Sequence, residues 1–115
     1  MGKENPEWTE ITIDELHERL ESDPAVVLID VRSVEDFNGG YGHIPGSLSI
    51  PMLELESRVD EIKEYKDKEI VTMCPGGGLS LVAIDILTEA GFKSIKSLKG
   101  GTDMWHQKGY PTTFD

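Results

Sequence analysis

Residues 25–29 read Ala-Val-Val-Leu-Ile, apolar at every position and bounded by Pro24 and Asp30. A run that short, rich in β-branched side chains and without polar alternation, suits a strand covered on both faces, as in a parallel sheet. Parallel strands need crossover connections, so helices must lie between them. The rest of the chain supplies that alternation. Residues 8–11 read as a short edge strand. Thr12-Ile13-Asp14-Glu15 then fits a capping box. Ile13, Leu16 and Leu20 give the helix one apolar face, and Ser22-Asp23-Pro24 ends it. A weaker strand over 47–50 stops at Pro51. An amphipathic helix over about 53–65 follows, with Leu55, Val59 and Ile62 inward. Residues 70–73 form another strand, 81–90 an apolar helix with Gly91 just past its end, 94–98 a last strand and 104–108 a short helix. The expected fold is α/β: a parallel five-stranded sheet flanked by helices on both faces.

The 115 residues allow one compact domain. Residues 1–10 are expected to be an N-terminal extension or edge strand, and 11–115 the domain. Eleven basic against 22 acidic residues give a net charge of −11, which argues against nucleic acid or an anionic membrane as partner. No apolar run approaches the roughly 20 residues of a membrane span. The first residues carry no apolar stretch of the kind a secretory leader needs, so the expected address is the cytoplasm. The single cysteine excludes an internal disulfide and any zinc site built on several thiolates. No metal and no cofactor is expected, and the expected assembly is a monomer or a weak dimer.

That cysteine is the most informative residue. Cys74 follows the strand over 70–73 and leads through Pro75, Gly76, Gly77, Gly78, Leu79 and Ser80 into a helix. Glycines permit positive φ, so successive backbone N–H groups can turn inward as an anion-binding nest. The helix adds the positive end of its dipole, with Ser80 as the expected N-cap. Such a setting favours the reactive thiolate. A lone cysteine is more often a small buried hydrophobe. The strand–Cys–Gly-rich loop–helix context argues for a nucleophile instead.

Phosphate-ester chemistry would need an Arg to hold the phosphate bidentately, yet Arg19, Arg32 and Arg58 all precede Cys74 and the loop has no Lys. A cysteine hydrolase would need a histidine base. His17 falls on a charged helix face, and spacing cannot place His43 or His106. A thiol reductase would want a second, resolving cysteine. Sulfur transfer fits: Cys74 attacks an activated sulfur, becomes a persulfide, and neutral donors hold the monoanion without a metal.

The chain resembles a single-domain rhodanese, a sulfurtransferase domain. The resemblance runs from about Ile11 to Pro111. It rests on Leu28-Ile29-Asp30-Val31-Arg32 with Glu35 and Phe37, and on Gly42-His43-Ile44-Pro45-Gly46-Ser47 with Ile50-Pro51. The cysteine loop, Ala90-Gly91-Phe92, Leu98-Lys99-Gly100-Gly101, Trp105 and Gly109-Tyr110-Pro111 then follow in order. The resemblance implies Cys74 as the persulfide-forming nucleophile and Gly76, Gly77, Gly78, Leu79 and Ser80 as the substrate-binding loop. Arg32 is given a supporting place at the substrate, with a structural ion pair to Asp30 as its other reading. His43 is expected to stabilise a turn and Trp105 to pack near the loop.

One residue departs from the pattern. Many members carry Arg where this chain has Leu79. Without a loop cation, and at −11 overall, a dianion such as thiosulfate is expected to bind weakly. A polysulfide or a persulfide-carrying protein is the expected donor, with a thiol or cyanide as acceptor. The competing reading is a catalytically inactive rhodanese-like protein-binding module.

Overall fold

The computed structural model describes residues 9–23 and 25–115. Residues 1–8, with Trp8 as the expected start of the edge strand, and Pro24, the expected helix stop, lie outside them. Five strands form one sheet: β1 (Thr9–Ile11), β2 (Val27–Asp30), β3 (Leu48–Ser49), β4 (Glu69–Met73) and β5 (Ser94–Leu98). Their order is β1-β5-β4-β2-β3, and every pairing is parallel. The two most apolar runs, β2 and β4, thus sit at the centre, with Ile29 opposite Thr72 and Asp30 opposite Met73. Burial of both strand faces is what removed polar alternation from their sequences.

Helices cover both faces. On one lie α3 (Met52–Arg58) with the 3₁₀ segment Val59–Tyr65, and α4 (Leu79–Glu89). They bury Leu55, Ile62, Ala83, Ile84 and Leu87 against Ile29, Ile70 and Ile95. On the other lie α1 (Ile13–Ser22) and α5 (Gly101–Gln107), which bury Ile13, Leu16 and Trp105 against Leu28, Val71, Met73 and Leu98.

Local chemistry sets the helix ends. Thr12 and Glu15 form the reciprocal capping box, with Thr12 Oγ1 accepting from the Glu15 amide at 3.1 Å and Glu15 Oε1 from the Thr12 amide at 2.9 Å. The end of α4 is a Schellman motif: Phe92 N–H donates to Leu87 O at 3.0 Å and Gly91 N–H to Thr88 O at 3.0 Å, with Gly91 at φ +98.

Three expectations are corrected. The helix expected over 53–65 is α followed by 3₁₀, broken at Ile62 (φ −119, ψ 17), which stays buried across the kink. A five-residue helix, α2 (Val34–Asn38), was not anticipated; Ser33 caps it through the Asp36 amide, and none of its residues is buried. Finally, α4 starts at Leu79 with Gly78 as N-cap, so Ser80 lies inside the helix and is not its cap.

Candidate active site

Cys74 follows β4 directly, at the carboxyl end of the central strands, where open parallel sheets place their ligands. The loop after it is held from outside. Thr102 N–H donates to Cys74 O at 2.9 Å and Asp103 N–H to Pro75 O at 3.0 Å. The first free amides of α5 therefore capture the loop's carbonyls. Gly101 makes this approach possible: at φ +68, a Cβ there would lie 2.3 Å from both Cys74 O and Pro75 O.

With its first carbonyls turned outward, the loop turns amides toward the sulfur. Gly77, at φ +97, donates its N–H to Cys74 Sγ at 3.1 Å, and Ser80 does so at 3.4 Å. The Ser80 amide is one of the free N–H groups in the first turn of α4, and Gly78 offers no side-chain cap. The sulfur takes the place of a capping oxygen. Below it lies a buried hydroxyl group pair. Cys74 Sγ and Ser80 Oγ are 3.5 Å apart, and Ser80 Oγ is 2.6 Å from Ser97 Oγ on β5. Thr72 Oγ1 donates to Ser80 O at 2.8 Å, fixing the start of α4 to β4.

Cys74 is only 1% exposed, so its sulfur lies at the floor of the cradle. The rim above is bare: Gly76 and Gly78 are exposed, and a Cβ at either would meet nothing within 4 Å. Leu79 is half exposed beside them.

The remaining candidates fall elsewhere. Arg32 donates through Nε and Nη2 to Asp30, with Nη2–Oδ2 at 2.8 Å, and through Nη2 to Gly42 O at 2.8 Å. Burial works against its charge, but the bonds to Asp30 outweigh burial and hold its pKa above the ordinary value. Its guanidinium thus ties β2 to the segment preceding β3. A cleft of about 160 Å³ lies between Arg32, Tyr41, Asp103 and Pro75. Burial first, then the Asp103 carboxylate, raise the Tyr41 phenol above its usual range.

His43 joins Phe37 O (Nδ1, 2.7 Å) to Asp115 O (Nε2, 3.0 Å) and stacks on Phe37. His106 stacks on Tyr41 and His17 on Tyr110, so His17 is partly covered where a solvated ring was expected. No histidine touches the sulfur among the described residues. Trp105 was expected near the loop, but its ring packs in the cluster on the α1 face, and Cys74 belongs to the other cluster. Trp105 Nε1 donates to Pro111 O at 2.8 Å. No group of three potential metal ligands occurs among the described residues.

Sequence reasoning missed Gly101, Thr102 and Ser97. Two adjacent glycines after a strand signal Gly101. A lone Ser between Ile95 and Leu98 in a strand signals a buried hydroxyl.

A profile of the rhodanese-like domain matches residues 12–108. A sulfurtransferase of Allochromatium vinosum is 32% identical over 102 residues, covering 89% of this chain and 92% of that protein. The putative sulfurtransferase YtwF of Bacillus subtilis is 34% identical over 105 residues, covering 91% and 97%. Another relative is longer: the chain spans 51% of the putative sulfur carrier protein YrkF of Bacillus subtilis, at 31% identity over 99 residues and 86% of this chain. Among solved structures, a rhodanese-related protein of Thermoplasma volcanium superimposes with a TM-score of 0.81 at 27% identity, covering 94% of this chain and all of that one. No helix among the described residues is long and apolar enough to cross a membrane. The chain belongs to the rhodanese-like domain family and is a sulfurtransferase of that family.

Proposed function

We propose that Cys74 carries a sulfane sulfur, as a persulfide, from a donor to a thiol or cyanide acceptor. The Cys74 thiolate attacks the terminal sulfur of the donor. A new S–S bond forms on Sγ, the donor's own S–S bond breaks, and its electron pair leaves with the donor thiolate. The acceptor thiolate then attacks the outer sulfur, and the Cys74 thiolate is the leaving group. No net oxidation and no cofactor is required. The observation that carries this reading is the pair of inward amides on Sγ, from Gly77 and Ser80. Neutral donors suit a sulfur whose charge migrates outward by one atom and returns. Gly76 and Gly78 N–H, which have no partner among the described residues, are available to the outer sulfur.

The donor class follows from charge. Leu79 supplies no cation, Arg32 is committed to Asp30 and Gly42, and the chain carries −11. A polysulfide or a protein-borne persulfide suits this mouth better than thiosulfate. Gly76, Gly77, Gly78, Leu79 and Ser80 form the binding loop, and Arg32 acts as a tether.

The test is intact-mass spectrometry after incubation with polysulfide, thiosulfate or a small persulfide. Polysulfide is expected to add one sulfur, removable by a thiol or by cyanide and absent in Cys74→Ser. Failure to load from any donor would overturn the reading in favour of an inactive protein-binding module.

A further inference from the structure

The first two turns of α4 and the start of α3 expose apolar side chains that the core does not use. Leu79 is 53% exposed and Val82 45%, and they sit three residues apart on one face of α4. On α3, Leu53 is 99% exposed. Both helices leave the carboxyl end of the parallel sheet and cover the same face. These three residues therefore stand at the end of the α3–α4 pair that holds the Cys74 loop, and Leu79 opens α4 directly after Gly78 of that loop. Away from the rim, the two helices enclose an open groove of about 450 Å³. Its floor is Val59, Ile86 and Ala90, and its walls carry Glu56 on one side and Asp85 and Glu89 on the other. None of the described residues lining it is basic. Scattered exposed apolar residues need no explanation, but an apolar strip rimmed by like charges and continuous with a reactive centre is the usual form of a protein-binding site.

Resting on the persulfide reading of Cys74, we infer that this strip docks a protein donor whose persulfide cysteine sits on a slender, protruding segment beside leucine-like and lysine or arginine side chains. Three observations select that occupant. The Glu56 and Glu89 carboxylates, on opposite walls, call for cations opposite them. A second copy of this chain, also at −11, would bring like charge to like charge. The sulfur lies at the floor of the cradle beneath bare glycine backbone at 76 and 78, so the delivering group must be narrow there while its carrier spreads over the adjoining strip. The groove is open, and Glu56 and Glu89 on its walls make it a poor fit to a small anionic donor.

The probes are two synthetic dodecapeptides with a central cysteine persulfide, one flanked by Leu and Lys and the other by Leu and Glu, with inorganic polysulfide as reference. The readout is the rate of sulfur loading on Cys74 by mass spectrometry. The basic peptide is expected to load roughly tenfold faster than the acidic one at low salt, with the advantage collapsing near 1 M salt. Glu56→Lys/Glu89→Lys should reverse the order of the two peptides. Leu53→Ser/Val82→Ser should slow the basic peptide several-fold. Polysulfide loading should stay unchanged in both double variants, which also shows that they fold. Equal rates for the two peptides, or an order that survives charge reversal, would overturn the docking surface while leaving Cys74 chemistry intact. Loss of loading from polysulfide in the unmodified chain would instead strike the persulfide reading itself.

Discussion

Asp30 ends β2 and Cys74 follows β4, its neighbour in the sheet, so two groups able to carry negative charge lie side by side on one rim. Both are almost fully buried, yet they are held by opposite means. Asp30 faces a permanent cation: Arg32 grips it with side chain and backbone N–H alike. Cys74 faces two amides and a hydroxyl, with no charge. The difference follows from what each group must do. The Asp30–Arg32 pair takes no part in the transfer of sulfur, so a rigid ion pair can serve as a fixed tether between β2 and Gly42. The sulfur must gain, pass on and recover its charge, and preorganised neutral dipoles tolerate each state without stranding a buried counter-ion.

Breaking the tether should have the largest effect on stability. Arg32→Met removes one partner of a pair whose side chains are 3% and 0% exposed, leaving a buried carboxylate unpaired. A loss of about 3–5 kcal/mol in urea unfolding is expected. The fraction that remains folded should still load sulfur from polysulfide. Loss of loading by folded protein would mean that Arg32 also serves the substrate.

Breaking the cradle should cost less stability and more chemistry. Gly101→Ala forces a Cβ onto the Cys74 and Pro75 carbonyls at positive φ. It should destabilise by about 1–3 kcal/mol and slow persulfide formation sharply. Gly46→Ala is the control, at φ +88 with nothing within 4 Å of the added atom. It should cost only about 1–2 kcal/mol, with loading intact. If both variants load alike, the α5 clamp does not shape the cradle.

Adding charge to the neutral site sharpens the contrast. Leu79→Arg places a cation at a half-exposed rim position, worth about 1–2 kcal/mol to a dianion at surface dielectrics. Thiosulfate turnover should rise roughly tenfold while polysulfide turnover changes little. A wild-type chain that already uses thiosulfate as well as the variant does would refute the assignment of donor class.

Much of this was written locally in the chain. The Thr12 capping box, the Gly91 Schellman ending and the two central strands depend on residues within a few positions of one another, and each was legible. The position of Cys74 on the rim was legible too, because a parallel sheet leaves its loops there. What escaped was tertiary. The expected Ser80 cap presumed that a helix finds its own polar end, whereas the Cys74 sulfur accepts the Ser80 amide and frees the hydroxyl for Ser97. The clamp by Thr102 and Asp103 joins groups 28 residues apart. The α2 helix buries nothing, so no apolar period announced it. The 3₁₀ break at Ile62 left that side chain inward, so the apolar spacing looked unbroken.

An ion pair at the opposite end of the sheet gives the smallest effect and limits how far the tether can be generalised. Glu69 opens β4, accepts from Lys96 Nζ at 2.6 Å and also pairs with Arg19. Burial pushes its carboxyl up, but the bonds from Lys96 and Arg19 outweigh burial and hold it below the ordinary 4.5. A carboxylate with a depressed folded-state value adds stability that is complete above 4.5 and disappears as the pH falls through the lower folded value. Glu69→Gln should therefore lose about 0.5–1 kcal/mol at neutral pH and unfold less steeply than the wild type just below 4.5. Parallel urea series on either side of that pH measure both quantities. Because Arg19 and Lys96 are part-exposed and keep water when Glu69 is neutralised, the loss should fall well short of that for Arg32→Met. Equal losses would mean that burial does not set the strength of the Asp30–Arg32 pair, since the pairs of Glu69 are more open to water.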